Sequence, residues 1–85
     1  MGSLIEFMKK SSKTKESIYH WISDEIRNAE KYGISVNVGG VNYTSDNDNE
    51  LLLVLEDAIY MKEYLSDDSG KIVQINFDKV VVNEN

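Results

Sequence analysis

Few residues in this chain have the type and spacing to do chemistry. His20 is the only histidine, so it has no partner for a paired-histidine mechanism, and it lies between Tyr19 and Trp21. A lone histidine among aromatics reads as a packing or surface residue. Asp46-Asn47-Asp48-Asn49-Glu50 has the ligand types of a calcium loop. Counting from Asp46, however, the sixth position is Leu51 where an EF-hand needs glycine, and the twelfth is Asp57 where it needs glutamate. Gly39-Gly40 is followed by neither a Walker lysine nor a GxGxxG spacing, so it is no phosphate loop. Ser11, Ser17 and Ser23 lack a plausible triad. Glu56-Asp57 are neighbours in sequence, which fixes no catalytic distance. No cysteine is present, which excludes a disulfide framework, a thiolate zinc site and a cysteine nucleophile. The expectation is a protein that is not an enzyme and takes no cofactor and no metal.

What remains is charge. The 85 residues carry fifteen acids and nine bases, net −6, on an otherwise ordinary globular composition of one small domain, residues 1–85. Residues 1–32 hold six bases and five acids. Residues 43–69 hold eight acids (Asp46, Asp48, Glu50, Glu56, Asp57, Glu63, Asp67 and Asp68) against Lys62 alone, net −7. Such a block reads either as a solvated face with acidic turns or as a surface that steers a basic partner. It argues against direct nucleic-acid binding and against an anionic membrane surface. The longest apolar run, Leu51–Leu55, is far too short to span a membrane, and no targeting segment is visible, so the expected setting is cytoplasmic.

The elements that must position these residues follow from periodicity. Leu4, Ile5, Phe7 and Met8 have helical spacing, ending at Lys9-Lys10. Ile18, Ile22, Ile26 and Ala29 form a helical stripe, yet Ser23 followed by Asp24-Glu25 is also a good N-cap. In the second reading Glu16–Ile22 is extended. Gly33 ends the helix as its C′ residue in both. Ile34–Val38 alternates as a strand, Gly39-Gly40 supplies positive φ for a turn, and Val41 and Tyr43 continue the alternation. Thr44–Asn49 is a polar loop. Residues 51–65 permit either one helix or two strands turning near Asp57-Ala58. Asp67–Gly70 is a turn. Ile72–Phe77 and Val80–Val82 read as strands split by Asp78-Lys79. The expected fold is α+β: one or two N-terminal helices packed on an antiparallel β-sheet.

The order of these segments resembles the small phage uracil-DNA glycosylase inhibitors. Glu16-Ser17-Ile18 precedes Asp24-Glu25-Ile26; a strand, Tyr43, an acidic loop and Glu50–Val54 follow; then come Asp57-Ala58, Lys62 and an Asp-Ser-Gly turn before Lys71-Ile72. The resemblance covers residues 16–76 with gaps. It implies that Glu16, Ser17 and Ile18 form an edge strand mimicking DNA backbone, and that Glu25 supplies a helix carboxylate. It further implies that Ile26, Ala29, Val36, Leu52 and Val54 line an apolar pocket for the enzyme's intercalating leucine. Arg27 and Asn28 depart from the family pattern, standing where it has acids, and Lys13 and Lys15 flank Glu16.

The function expected from these readings is a protein inhibitor that blocks a DNA-processing enzyme, uracil-DNA glycosylase first, by acidic DNA mimicry and capture of an apolar side chain. If phage-encoded, it would act in the host-cell cytoplasm. The alternatives are an acidic blocker of another nucleic-acid enzyme, as anti-CRISPR or immunity proteins are, and a small structural or homo-oligomeric domain whose acidity serves solubility.

Overall fold

The computed structural model describes the backbone of residues 3–7 and all of residues 14–80. Along the chain run β1 (Ser3–Phe7), α1 (Lys15–Glu30), β2 (Ser35–Val38), β3 (Val41–Tyr43), a 3-10 turn (Asp48–Glu50), α2 (Leu51–Val54), β4 (Tyr60–Ser66) and β5 (Ile72–Lys79). The strands form one sheet in the order β1-β4-β5-β2-β3. It is an α+β fold with helix on sheet. The sheet is mixed rather than purely antiparallel: β2 and β5 run parallel, with Val36 opposite Ile75 and Val38 opposite Phe77, and the other pairs are antiparallel.

α1 forms because its stripe has a sheet to bury against. Ile18, Ile22 and Ile26 are fully buried, Ala29 nearly so, and they meet Val36, Val38, Ile75 and Phe77 from the strands. Trp21 adds an edge-to-face contact with Phe77 at 5.1 Å between ring centroids. The helix starts at Thr14, whose hydroxyl accepts the Ser17 N–H at 3.2 Å. It ends in a Schellman pattern: Gly33 N–H bonds the Glu30 carbonyl and Ile34 N–H bonds the Ala29 carbonyl. Gly33, at φ 68°, is the C′ residue the sequence requires. Gly39 and Gly40 both have positive φ and close the two-residue β2–β3 hairpin.

Several expectations are corrected. Glu16-Ser17-Ile18 is not an extended edge but the first turn of α1. Ser23 is no N-cap: it is buried mid-helix, its hydroxyl donating to Asp48 Oδ2 at 2.7 Å. Leu4, Ile5 and Phe7 lie in β1, not in a helix; five residues gain more from pairing along β4 than from an isolated helical turn. Met8 lies outside the described residues. Residues 51–65 are neither one helix nor two strands. Leu51 and Leu55, at i and i+4, anchor the four-residue α2, and β4 starts at Tyr60 between β1 and β5. β5 passes unbroken through Asp78-Lys79, which pair with Met61 and Tyr60. Val81 and Val82 lie outside the described residues.

Candidate functional site

The acidic block 43–69 does not stay together in space. Its first part follows β3 and climbs back along α1; its last part is the β4–β5 turn, at the opposite end of β4 from Asp57. Most of these carboxylates serve the fold. Asp48 is buried beside α1, where it accepts from the Ser23 hydroxyl and pairs with Arg27 at 2.9 Å. Asp57 accepts the Lys15 N–H at the start of α1, where a carboxylate also suits the helix dipole. Glu56 pairs with Lys79 at 2.7 Å, which raises the Lys79 pKa. Asp67 accepts the Ser69 hydroxyl at 2.6 Å and the Lys71 and Ser69 N–H groups. The Ser69 hydroxyl foremost, then the Lys71 N–H, holds its pKa below the ordinary 3.8. Asp46 and Glu50 are exposed and have no side-chain partner among the described residues.

The polar loop before α2 bonds its own backbone. Asn47 Oδ1 accepts the Thr44 N–H at 2.8 Å, and Ser45 N–H reaches Glu30 at 3.3 Å. With Asp48 turned toward Ser23 and Arg27, the loop gathers no metal site. No group of three acidic, histidine or cysteine side chains among the described residues could hold an ion.

Lys62, the sole cation of the block, is only 4% exposed. Its ammonium bonds Glu25 Oε2 at 2.8 Å and lies 4.5 Å from the centre of the Tyr64 ring. Burial pulls the Lys62 pKa down, but the Glu25 carboxylate and Tyr64 outweigh it, and the net shift is upward from 10.5. The consequence is electrostatic: residues 43–69 present carboxylates at the surface and no lysine or arginine among them is exposed.

The residues expected to form a partner site are dispersed. Glu16 is exposed and Ser17 half-buried in the first turn of α1, with the Ser17 hydroxyl donating to the Thr14 carbonyl; Ile18 is core. Glu25 is committed to Lys62. Ile26 and Val36 do come together. With Ile34, Tyr43, Asn42 and Glu30 they line a groove of about 280 Å³ beside the C-terminal end of α1. This is the low end of ligand-pocket sizes, room for a side chain rather than a cofactor. Ala29 is buried nearby on the same stripe. Leu52 and Val54 are not in the groove but exposed on α2. From Glu16 to the groove at Glu30 is roughly 20 Å along the helix at 1.5 Å per residue, so these residues do not make one contact surface.

Sequence reasoning missed Leu53, which at 83% is the most exposed large apolar side chain described. Leu51 and Leu55 turn inward one helical turn apart, and the side chains of residues 52–54 between them are exposed, Leu53 most of all. An apolar run of five gives no sign of this until its helical state is known. His20 is exposed, its ring 5.5 Å from that of Tyr19. No protein-family model matches the chain, and no curated protein or solved structure is significantly similar to it. Among the described residues no helix is long and apolar enough to cross a membrane.

Proposed function

We propose that this protein is a non-enzymatic inhibitor that presents carboxylates, in place of DNA phosphates, to the basic groove of a DNA-processing enzyme, with uracil-DNA glycosylase as the first candidate. The observation that carries this reading is the burial of Lys62. It removes the only cation of residues 43–69 from the surface, so the exposed carboxylates of Asp46 and Glu50, unpaired among the described residues, have no lysine of their own segment beside them, which favours association with a basic groove. The mimicry is assigned to Asp46, Glu50 and their neighbours rather than to Glu16, since residues 16–18 are helical and offer no strand edge. The groove beside Ile34 and Tyr43, which Glu30, Asn42 and Thr44 also line, is assigned in this reading to a side chain of the partner. The protein would act in the cytoplasm, that of the host cell if it is phage-encoded.

A uracil-release assay with purified glycosylase tests this. Stoichiometric inhibition is expected, weakened by Glu50→Lys and little changed by Glu16→Ala. A nuclease assayed alongside separates a glycosylase inhibitor from a blocker of another nucleic-acid enzyme. If neither enzyme is inhibited at micromolar protein, the reading fails for both.

A further inference from the structure

We infer that Leu52, Leu53 and Val54 are a docking tip for a protein partner that offers an apolar cleft bounded by lysine or arginine. The inference rests on the inhibitor reading for its choice of a basic partner, but it names a site which that reading does not.

Three consecutive aliphatic side chains, 38%, 83% and 55% exposed, stand on one short helix. Runs of this kind on a surface cost solubility and are avoided where they have no role. The helix holding them is not loose: Leu51 and Leu55 pin both its ends in the core, and Leu55 N–H bonds the Leu51 carbonyl at 2.8 Å. The tip is therefore presented in a fixed orientation, which lowers the ordering cost of binding. On either side in sequence stand exposed Glu50, Glu56 and Asp57. Lys79 offsets Glu56 and Asp57 accepts the Lys15 N–H, which leaves Glu50 as the carboxylate unpaired among the described residues, and the flanks keep a net negative charge. An apolar tip with acidic flanks fits an apolar cleft bounded by basic side chains.

A second copy of this chain fits less well. Facing tips would set Glu50, Glu56 and Asp57 against the same acids. The tip also differs from the groove at Ile26 and Val36, which receives a side chain instead of inserting one.

The test is an NMR titration of the ¹⁵N-labelled full chain with a synthetic amphipathic peptide of leucine and lysine, and with its leucine–glutamate counterpart. The leucine–lysine peptide should shift amides of residues 50–57, and the glutamate peptide should not. Leu53→Ser should weaken that binding by about tenfold or more, the effect of losing one buried leucine, with the urea midpoint little changed because Leu53 is 83% exposed. Shifts centred elsewhere, equal binding by Leu53→Ser, or a dimer in sedimentation velocity that Leu53→Ser dissolves would each overturn the inference. Because the peptide is not a glycosylase, the titration and the uracil-release assay fail separately.

Discussion

Removing the Glu25 carboxylate should cost more than removing the Lys62 ammonium it faces. The Lys62 side chain is 6% exposed and that of Glu25 is 20% exposed. In Glu25→Ala the ammonium stays enclosed between α1 and the sheet, with the Tyr64 ring as its remaining close neighbour. Stranding one charge of a buried pair costs about 3–5 kcal/mol. The residual cation–π contact favours the lower end, about 3 kcal/mol. A domain of this size has on the order of 4–13 kcal/mol in all. In Lys62→Met the carboxylate can turn to water and the methionine fills the space, so the cost should be about half as large. The double variant Glu25→Leu/Lys62→Met should recover most of the loss, since an apolar pair of similar volume replaces a buried ion pair with little penalty. Urea unfolding followed by circular dichroism measures all four proteins. With a slope of about 1 kcal/mol per molar, Glu25→Ala should lower the midpoint by ~3 M. If Glu25→Ala costs no more than Lys62→Met, or the double variant is no more stable than Glu25→Ala, then Lys62 is not desolvated and the surface argument built on its burial fails with it.

Four further outcomes are expected. Because the folded pKa of Lys62 lies above 10.5, its contribution to stability is complete below that pH and declines as pH rises through the shifted value; in Lys62→Met this part of the alkaline loss should be absent from a pH series of thermal midpoints. Asp67 has a lowered pKa, so its contribution is present at neutral pH and lost as pH falls through the folded value; Asp67→Asn should destabilise at pH 7 and converge with the parent in acid. Gly33→Ala forces an alanine to φ 68° and should cost about 1 kcal/mol in chemical denaturation; an unchanged midpoint would contradict the Schellman ending. With net charge −6, duplex DNA should show no gel shift at micromolar protein and physiological salt, and a salt-sensitive shift would count against the inhibitor reading.

What could be read from the sequence was what local chemistry decides. The stripe of Ile18, Ile22, Ile26 and Ala29 marks a helix wherever that helix lies. Gly33, Gly39 and Gly40 announce positive φ, and Ser35–Val38 alternates because one face is wet. What could not be read was set by distant partners. Ser23 has the chemistry of an N-cap, and only Asp48, twenty-five residues on, makes it a buried helix residue. The spacing of Leu4, Ile5 and Phe7 fits a helix as well as a strand until β4 lies alongside. The candidate site divides in the same way. The concentration of acids is visible in composition. The burial of Lys62, the outward turn of Leu53 and the separation of Glu16, Leu52 and Val54 from the groove at Ile26 and Val36 depend on how α1, α2 and the sheet stack.

The parallel pairing of β2 with β5 also bears on how the chain comes to fold. β5, the last strand described, is the middle of the sheet, joined to β4 on one side and to β2 on the other. β1 completes the edge by pairing Ser3 with Leu65, far apart along the chain. Contacts that close such long loops are assembled slowly, because chain entropy is lost before any pairing compensates for it. During synthesis α1 and the β2–β3 hairpin emerge early, but the hairpin has no third strand and is marginal alone. Until Ile72–Lys79 arrives, the apolar faces of Val36, Val38 and the α1 stripe have no sheet centre to close on. Completion of the sheet, and with it of the core, therefore waits for the last strand described.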